Sequence, residues 1–226
     1  MTATAARLGT RLAALLGVIS LGACSILPRP DPPTVYALPQ PQAVASQAVV
    51  SPMTTAPTAE WSLQIATPLA PAAVNRSAIT VLPRPDLVNN YRGARWSDPA
   101  PVLFRDALVR RLQLSHPGAV ITSDDSDVPT RYKLVGRLDA FQSEYRNGQP
   151  QIVIHYQAQL LGGDAQSAVA VRRFDISLTP GSSAVNDVVG GFGQAVQQLD
   201  GQVQAWLNTV ISVATLPSSN PASRTP

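Results

Sequence analysis

The 226-residue chain contains one cysteine, Cys24, so no internal disulfide can staple its fold. Its two histidines, His116 and His155, are too few for a three-histidine zinc site. Nucleophile elbows of the Gly-x-Ser-x-Gly type, phosphate loops and His-Glu-x-x-His motifs are all missing. Asp124, Asp125 and Asp127 lack the spacing and the distal glutamate of a calcium loop and read as a solvated turn. Ser182 and Ser183 follow Pro180-Gly181, where serine does ordinary capping work. All basic residues but Lys133 are arginine, and none cluster with aromatics, which leaves nucleic-acid binding without a footprint. These absences argue against an enzyme and against any metal or cofactor.

The one cysteine has a telling position. Arg7 and Arg11 precede an uncharged apolar run, Leu12–Ala23. That run falls well short of the roughly 20 residues that span a bilayer. A basic start, a short apolar segment and small residues before a break make a secretory signal. Leu21-Gly22-Ala23-Cys24 resembles the lipobox of bacterial lipoproteins. The resemblance implies cleavage before Cys24, diacylation of its thiol and a further acyl chain, such as palmitate, on the new amino group. Several chains hold a protein on a membrane far better than one. Ser25 replaces the aspartate that retains many Gram-negative lipoproteins in the inner membrane, which favours the periplasmic face of the outer membrane.

Removing residues 1–23 changes the charge balance. The chain has 17 basic and 14 acidic residues; without Arg7 and Arg11 it has 15 basic ones, a formal +1. The high isoelectric point therefore owes much to the signal. Residues 24–59 read as the lipidated cysteine and a flexible linker, with Pro28, Pro30, Pro32, Pro33, Pro39, Pro41, Pro52 and Pro57 among Ala, Gln, Ser and Thr. Such a composition buries too little apolar surface to offset its ordering entropy. Its apolar island, Thr34-Val35-Tyr36-Ala37-Leu38, is free to dock on the body. The folded body is expected over 60–214 as one domain, followed by a disordered tail over 215–226.

Within the body, Trp61–Ile65 alternates apolar and polar residues as a half-buried strand does, and Ala78–Leu82 reads as a second strand stopped by Pro83 and Pro85. Asp98 and Pro99 mark a helix start. The helix runs to about Leu114 with Phe104, Leu108 and Leu112 inward and an Asp106–Arg110 pair outside. Ala119–Thr122 is a short strand. Tyr132–Ala140 and Ile152–Leu160 form a hairpin around Asn147-Gly148. Matching their apolar faces predicts a three-residue loop, Arg146-Asn147-Gly148, that pairs Leu134 with Leu160, Leu138 with Tyr156, Ala140 with Ile154 and Asp139 with His155. Ala168–Leu178 is a further strand with a parity change at Arg172-Arg173. From Val185 to Val213, apolar residues recur at alternating threes and fours from Val185 through Phe192 and Leu199 to Trp206 and Val210, a long amphipathic helix. Gly190, Gly191 and Gly193 weaken its start or mark a close contact. The expected fold is α+β: a mostly antiparallel sheet, an amphipathic helix after the second strand, and a long C-terminal helix packed on the sheet.

Several of these stretches, in order, resemble one family. They are Leu21–Cys24, Thr34–Pro39, Tyr91–Pro101 (Tyr-Arg-Gly-Ala-Arg-Trp-Ser-Asp-Pro-Ala-Pro), Tyr132–Tyr145 and Arg172-Arg173-Phe174. The sequence looks like the ABC-type transport auxiliary lipoproteins, which accompany mammalian-cell-entry (MCE) domain transporters in Gram-negative envelopes. The resemblance implies a non-enzymatic periplasmic subunit, anchored through Cys24 and able to form homo-oligomers. Its partners would be an MCE-domain protein, an ABC permease and an ATPase that move lipids between the two membranes. The long Pro/Ala/Gln linker departs from the family pattern. Arg95 and Trp96 have two readings: a partner-facing contact, or Trp96 packed beneath the helix start. The rival to transport is an envelope lipoprotein that acts as an assembly factor or binds lipid itself.

Overall fold

A computed structural model describes residues 31–40, 61–163 and 167–215. The chain divides into two compact units, Met1–Pro32 and Pro33–Pro226. The signal, Cys24 and most of the linker and tail lie outside the described residues.

The second unit holds β1 (Thr34–Tyr36), β2 (Ser62–Ile65), β3 (Ala78–Arg84), β4 (Leu87–Trp96), α1 (Ala100–Ser115), β5 (Val120–Ser123), β6 (Tyr132–Arg146), β7 (Gln149–Gly162), β8 (Ser167–Leu178) and α2 (Val185–Thr215). It is an α+β fold on one eight-stranded sheet. The sheet is mixed, where a mostly antiparallel one is expected from sequence. β3–β4, β6–β7 and β7–β8 are antiparallel, whereas β1–β4, β2–β5, β2–β6 and β3–β6 are parallel. Tight turns announce hairpins in a sequence, but parallel neighbours meet through longer connections that leave no local mark.

Two strands escape the sequence reading. β3 continues through Pro83 and turns at Pro85-Asp86 into β4, whose first half is exposed and lacks an apolar rhythm. The apolar island becomes β1, with Leu38 buried behind it. The body therefore takes in residues 33–40, which composition alone assigns to the linker, and α1 follows the fourth strand rather than the second.

The central hairpin shows a trade between turn and bulge. Arg146 pairs with Gln149, so the loop has two residues, not the expected three. Asn147 and Gly148 have φ of 50° and 77°, the paired left-handed geometry that matches the twist of the strands. The apolar faces are still matched, because a bulge between Leu138 and Ala140 absorbs one residue. Leu134 thus pairs with Leu160 and Leu138 with Tyr156 as expected, but Ala140 faces His155, and Ile154 faces Phe141. Asp139 is the extra residue and lies 3.3 Å from Arg137, while His155 lies 3.7 Å from Asp175 on β8. The irregularity in β8 falls between the pairs Leu160–Ala170 and Leu161–Ala168, earlier than Arg172-Arg173.

The core lies between one face of the sheet and the two helices. α1 buries Phe104, Leu108 and Leu112. α2, about 46 Å long, packs on β7 and β8 and touches α1. It buries a wider stripe than the expected threes and fours, adding Val188, Ala195, Leu207 and Ile211. Trp96, Phe141 and Phe192 form a cluster with centroids 4.8–6.1 Å apart. Such aromatic pairs contribute about 0.5–1.5 kcal/mol each beyond area burial.

Candidate functional site

The Tyr91–Pro101 stretch is a structural junction. Its last strand residues pair with β1 on one side and β3 on the other: Ala94, Arg95 and Trp96 face Thr34, Val35 and Tyr36, and Arg95 also faces Ala78. Backbone bonds complete the join. Trp96 N–H donates to the Ser77 carbonyl, Ser97 N–H to the Tyr36 carbonyl (2.8 Å), and Ala100 N–H to the Arg76 carbonyl. Pro99, rather than Asp98, occupies the N-cap of α1, and no side chain caps it. The first turn is satisfied through the Pro99 carbonyl, which accepts from Val102 and Leu103.

Of the two partner-contact candidates, the structure buries Trp96 (1 % exposed) and leaves Arg95 exposed. The Trp96 ring packs edge-on against Phe192 of α2 and Phe141 of β6, so it is spent on the core and has no face for a partner. Tyr91 sends its hydroxyl to Ser143 Oγ (3.2 Å), and burial pushes its pKa up.

A second cluster was not visible in the sequence. Arg105 lies on the inner side of α1, 6 % exposed. Its guanidinium reaches Asp106 (2.9 Å), Asp124 (2.6 Å), Asp125 (2.9 Å) and Thr67 Oγ1 (2.9 Å). The Thr67 N–H also donates to Asp124 (2.8 Å). One fork of donors thus ties α1, the segment after β2 and the turn after β5. Burial alone would raise the Asp124 pKa, but the Thr67 N–H and Arg105 outweigh it and hold the carboxyl below its usual range. Asp106 is drawn to Arg105, not to Arg110 as expected. The available signal was the spacing of Arg105, four after buried Pro101 and three before buried Leu108, which puts it on the apolar face.

The sheet face away from the helices carries an open groove of about 500 Å³ between the segment after β2 and strands β6 to β8. Leu69, Val135 and Val171 line it together with Lys133, Arg137 and Gln157. Among the described residues no group of three or more His, Cys, Asp or Glu is placed to hold a metal, and no helix is long and apolar enough to cross a membrane.

Comparison with known proteins agrees with this architecture. Residues 36–204 match the family described as the ABC-type transport auxiliary lipoprotein component. A crystal structure of a Xanthomonas campestris protein of the DUF330 family superposes with a TM-score of 0.67 at 25% identity, covering 81% of this chain and 100% of that one. A second crystal structure, of an uncharacterized protein, gives a TM-score of 0.61 at 15% identity, covering 78% and 99%, a likeness of fold alone. No match is found among curated proteins. The matched span runs from the last residue of β1 through the Trp96 junction and the central hairpin to the middle of α2, and the chain belongs to the ABC-type transport auxiliary lipoprotein family.

Proposed function

We propose that the protein is a lipid-anchored accessory subunit of an ABC transporter of the MCE type, on the periplasmic face of the outer membrane, where it helps move lipids between the two membranes. The observation that carries this reading is the family match over residues 36–204. The lipobox at Leu21–Cys24 supplies the anchor, with Cys24 as the acylated residue and no cofactor beyond its lipid. The partners are an MCE-domain protein with its permease and ATPase, and the role is tethering and docking, not catalysis.

In-cell cross-linking followed by identification of the captured protein tests the reading. An MCE-domain protein is the expected capture. Loss of the gene should sensitise the envelope to detergent as loss of that partner does, and the double deletion should be no worse than either single one. An additive double defect without an MCE capture would overturn the proposal. The rival, a protein that itself binds lipid, calls for an enclosed apolar pocket. The groove by Leu69 and Val171 is open and edged by Lys133 and Arg137, and so gives that rival little support.

A further inference from the structure

An outermost strand leaves one row of N–H and C=O groups open to pairing. Among the described residues three strands have a single neighbour: β1 beside β4, β5 beside β2 and β8 beside β7. The first two are blunted. β1 has three residues, and β5 has four, with its Ile121 carbonyl taken by Gln113 Nε2 at 2.8 Å. β4 has β1 beside it only at Ala94–Trp96, and its earlier part is irregular, with two register shifts against β3 and Gly93 at φ 66°. β8 is different. It has 12 residues and neither proline nor lysine, and from Ala170 through Leu178 it follows β7 without a shift. Exposed apolar residues alone do not single it out, since Leu114 sits on α1, Val120 on β5 and Val128 in a loop. A long, regular row of outer backbone groups does.

The side chains of β8 specify what fits there. Phe174 and Ile176 are buried in the core, so Val171, Arg173, Asp175 and Ser177 lie on the other face. Arg173 and Asp175 are paired within the strand at 2.9 Å. With a second β8 laid antiparallel and a two-fold axis at Phe174, Arg173 of each copy faces Asp175 of the other, and Val171 faces Ser177. An axis at Arg173 or Asp175 would set like charges opposite each other, which is unfavourable. An axis at Arg172 or Ile176 would leave both charges facing uncharged residues. An axis between residues would turn the apolar face of one strand toward the polar face of the other. Phe174 is also the midpoint of the regular stretch Ala170–Leu178, so charge and regularity select the same axis.

The helix side of the pair fits as well. Leu178 of one copy stands opposite Ala170 of the other, beside an open groove of about 300 Å³ that Ala170, Val210 and Val213 line. Arg172 holds its guanidinium over its own Phe174 ring, 5.2 Å from the centroid, and meets Ile176 of the second copy, not a like charge.

We infer that the protein forms a two-fold dimer in which β8 pairs antiparallel with β8 of a second copy about Phe174, joining two eight-stranded sheets into one. A two-fold interface needs a patch that complements itself, and the Arg173–Asp175 alternation supplies one. Such a dimer goes beyond the proposed transporter role and stands whether or not Cys24 carries lipid.

Light scattering on full-length protein in detergent, corrected for bound detergent, tests the pairing. Arg173→Asp puts two carboxylates on this strand, and Asp175→Arg puts two guanidiniums there. Each variant alone should have half the wild-type mass. Mixed in equal amounts, the two should return to the wild-type mass, because each supplies the charge the other lacks. Repair of the bond within one strand cannot explain that recovery, since neither chain regains it. Both side chains are more than half exposed, so the variants keep the fold, which circular dichroism checks. A cross-link reads the register independently. Co-expressed chains carrying Val171→Cys and Ser177→Cys should join through a short bis-maleimide. Neither should join to itself, because like positions lie six residues out of register, about 20 Å apart. The wild-type chain controls for Cys24. A wild type of monomer mass, single variants of unchanged mass, a folded mixture that stays at half mass, or no cross-link between the two chains would each overturn the dimer.

Discussion

A Cβ on Gly193 would lie 2.8 Å from both the Cβ and the carbonyl oxygen of Pro39. Pro39, three residues past β1, thus rests on bare helix backbone. Gly193→Ala should push Pro39 off α2 and cost about 1–3 kcal/mol. Gly190 has nothing within 4 Å of the same position, so Gly190→Ala should stabilise by about 0.5–1 kcal/mol through helix propensity alone. Urea unfolding of the two variants gives opposite signs if the close approach is what matters, and equal gains if it is not.

The Arg105 fork makes a prediction about charge and geometry. Arg105→Ala leaves three carboxylates together with no cation between them and should cost about 2–4 kcal/mol. Arg105→Lys should recover only part of this, because an ammonium cannot span Asp106, Asp124 and Asp125 at once. The Asp124 pKa is lowered in the fold. Its contribution is therefore full above the unfolded pKa, near 4, and fades as pH falls through the folded value. The stability gap between wild type and Asp124→Asn should close on acidification, as read by denaturant midpoints across the acid range.

Asp200 has the opposite slope. It lies on the buried side of α2, 6 % exposed, and its Oδ1 has no hydrogen-bond partner among the described residues. Burial pushes its pKa up to about 7, against a smaller opposing pull from Arg111. The folded state then binds the proton more tightly than the unfolded state does, so stability declines as pH rises from about 4 to about 7. Asp200→Asn should match wild type near pH 4 and exceed it above pH 7, by up to ~4 kcal/mol for a shift of this size. Melting temperatures of both proteins across that window check the sign; a constant difference would refute it.

At the central hairpin, Gly148 has φ of 77° with open space around it. Gly148→Val should destabilise by about 1–2 kcal/mol through backbone conformation, not through a clash. Asn147→Gly, at φ 50°, should be close to neutral. Thermal melts of the pair would expose a misread turn if Asn147→Gly proved the costlier change.

What could be read in advance followed from burial. The apolar faces of β6 and β7 brought Leu138 opposite Tyr156 and Leu134 opposite Leu160, because misaligning them would expose a row of core side chains. The same logic could not tell a longer loop from a short turn plus a bulge at Asp139, since both align the faces. The spacing in α1 and α2 was legible for the same reason. β4 was not, because its first residues are exposed and carry no rhythm. β1 was legible only as an apolar island in a proline-rich stretch, for three residues hold no period. Arg105 was missed because a charged residue on an apolar face looks like an exception until Asp124 and Asp125, about 20 residues on, are brought to it. Trp96 was legible as a junction residue, and only packing decided which way its ring points.

The attachment of β1 also has a mechanical side. Its three residue pairs lie parallel to β4, the Tyr36 carbonyl accepts from Ser97, the Tyr36 hydroxyl reaches Asn186 at 2.8 Å, and Leu38 and Pro39 are wedged behind it. A force applied at Thr34 along the strand axis would load these bonds together in shear and not peel them one by one. Leu38 and Pro39 act as a knot on a cord, since they would have to be dragged past Gly193 before the strand could slip. The load passes directly into the starts of α1 and α2.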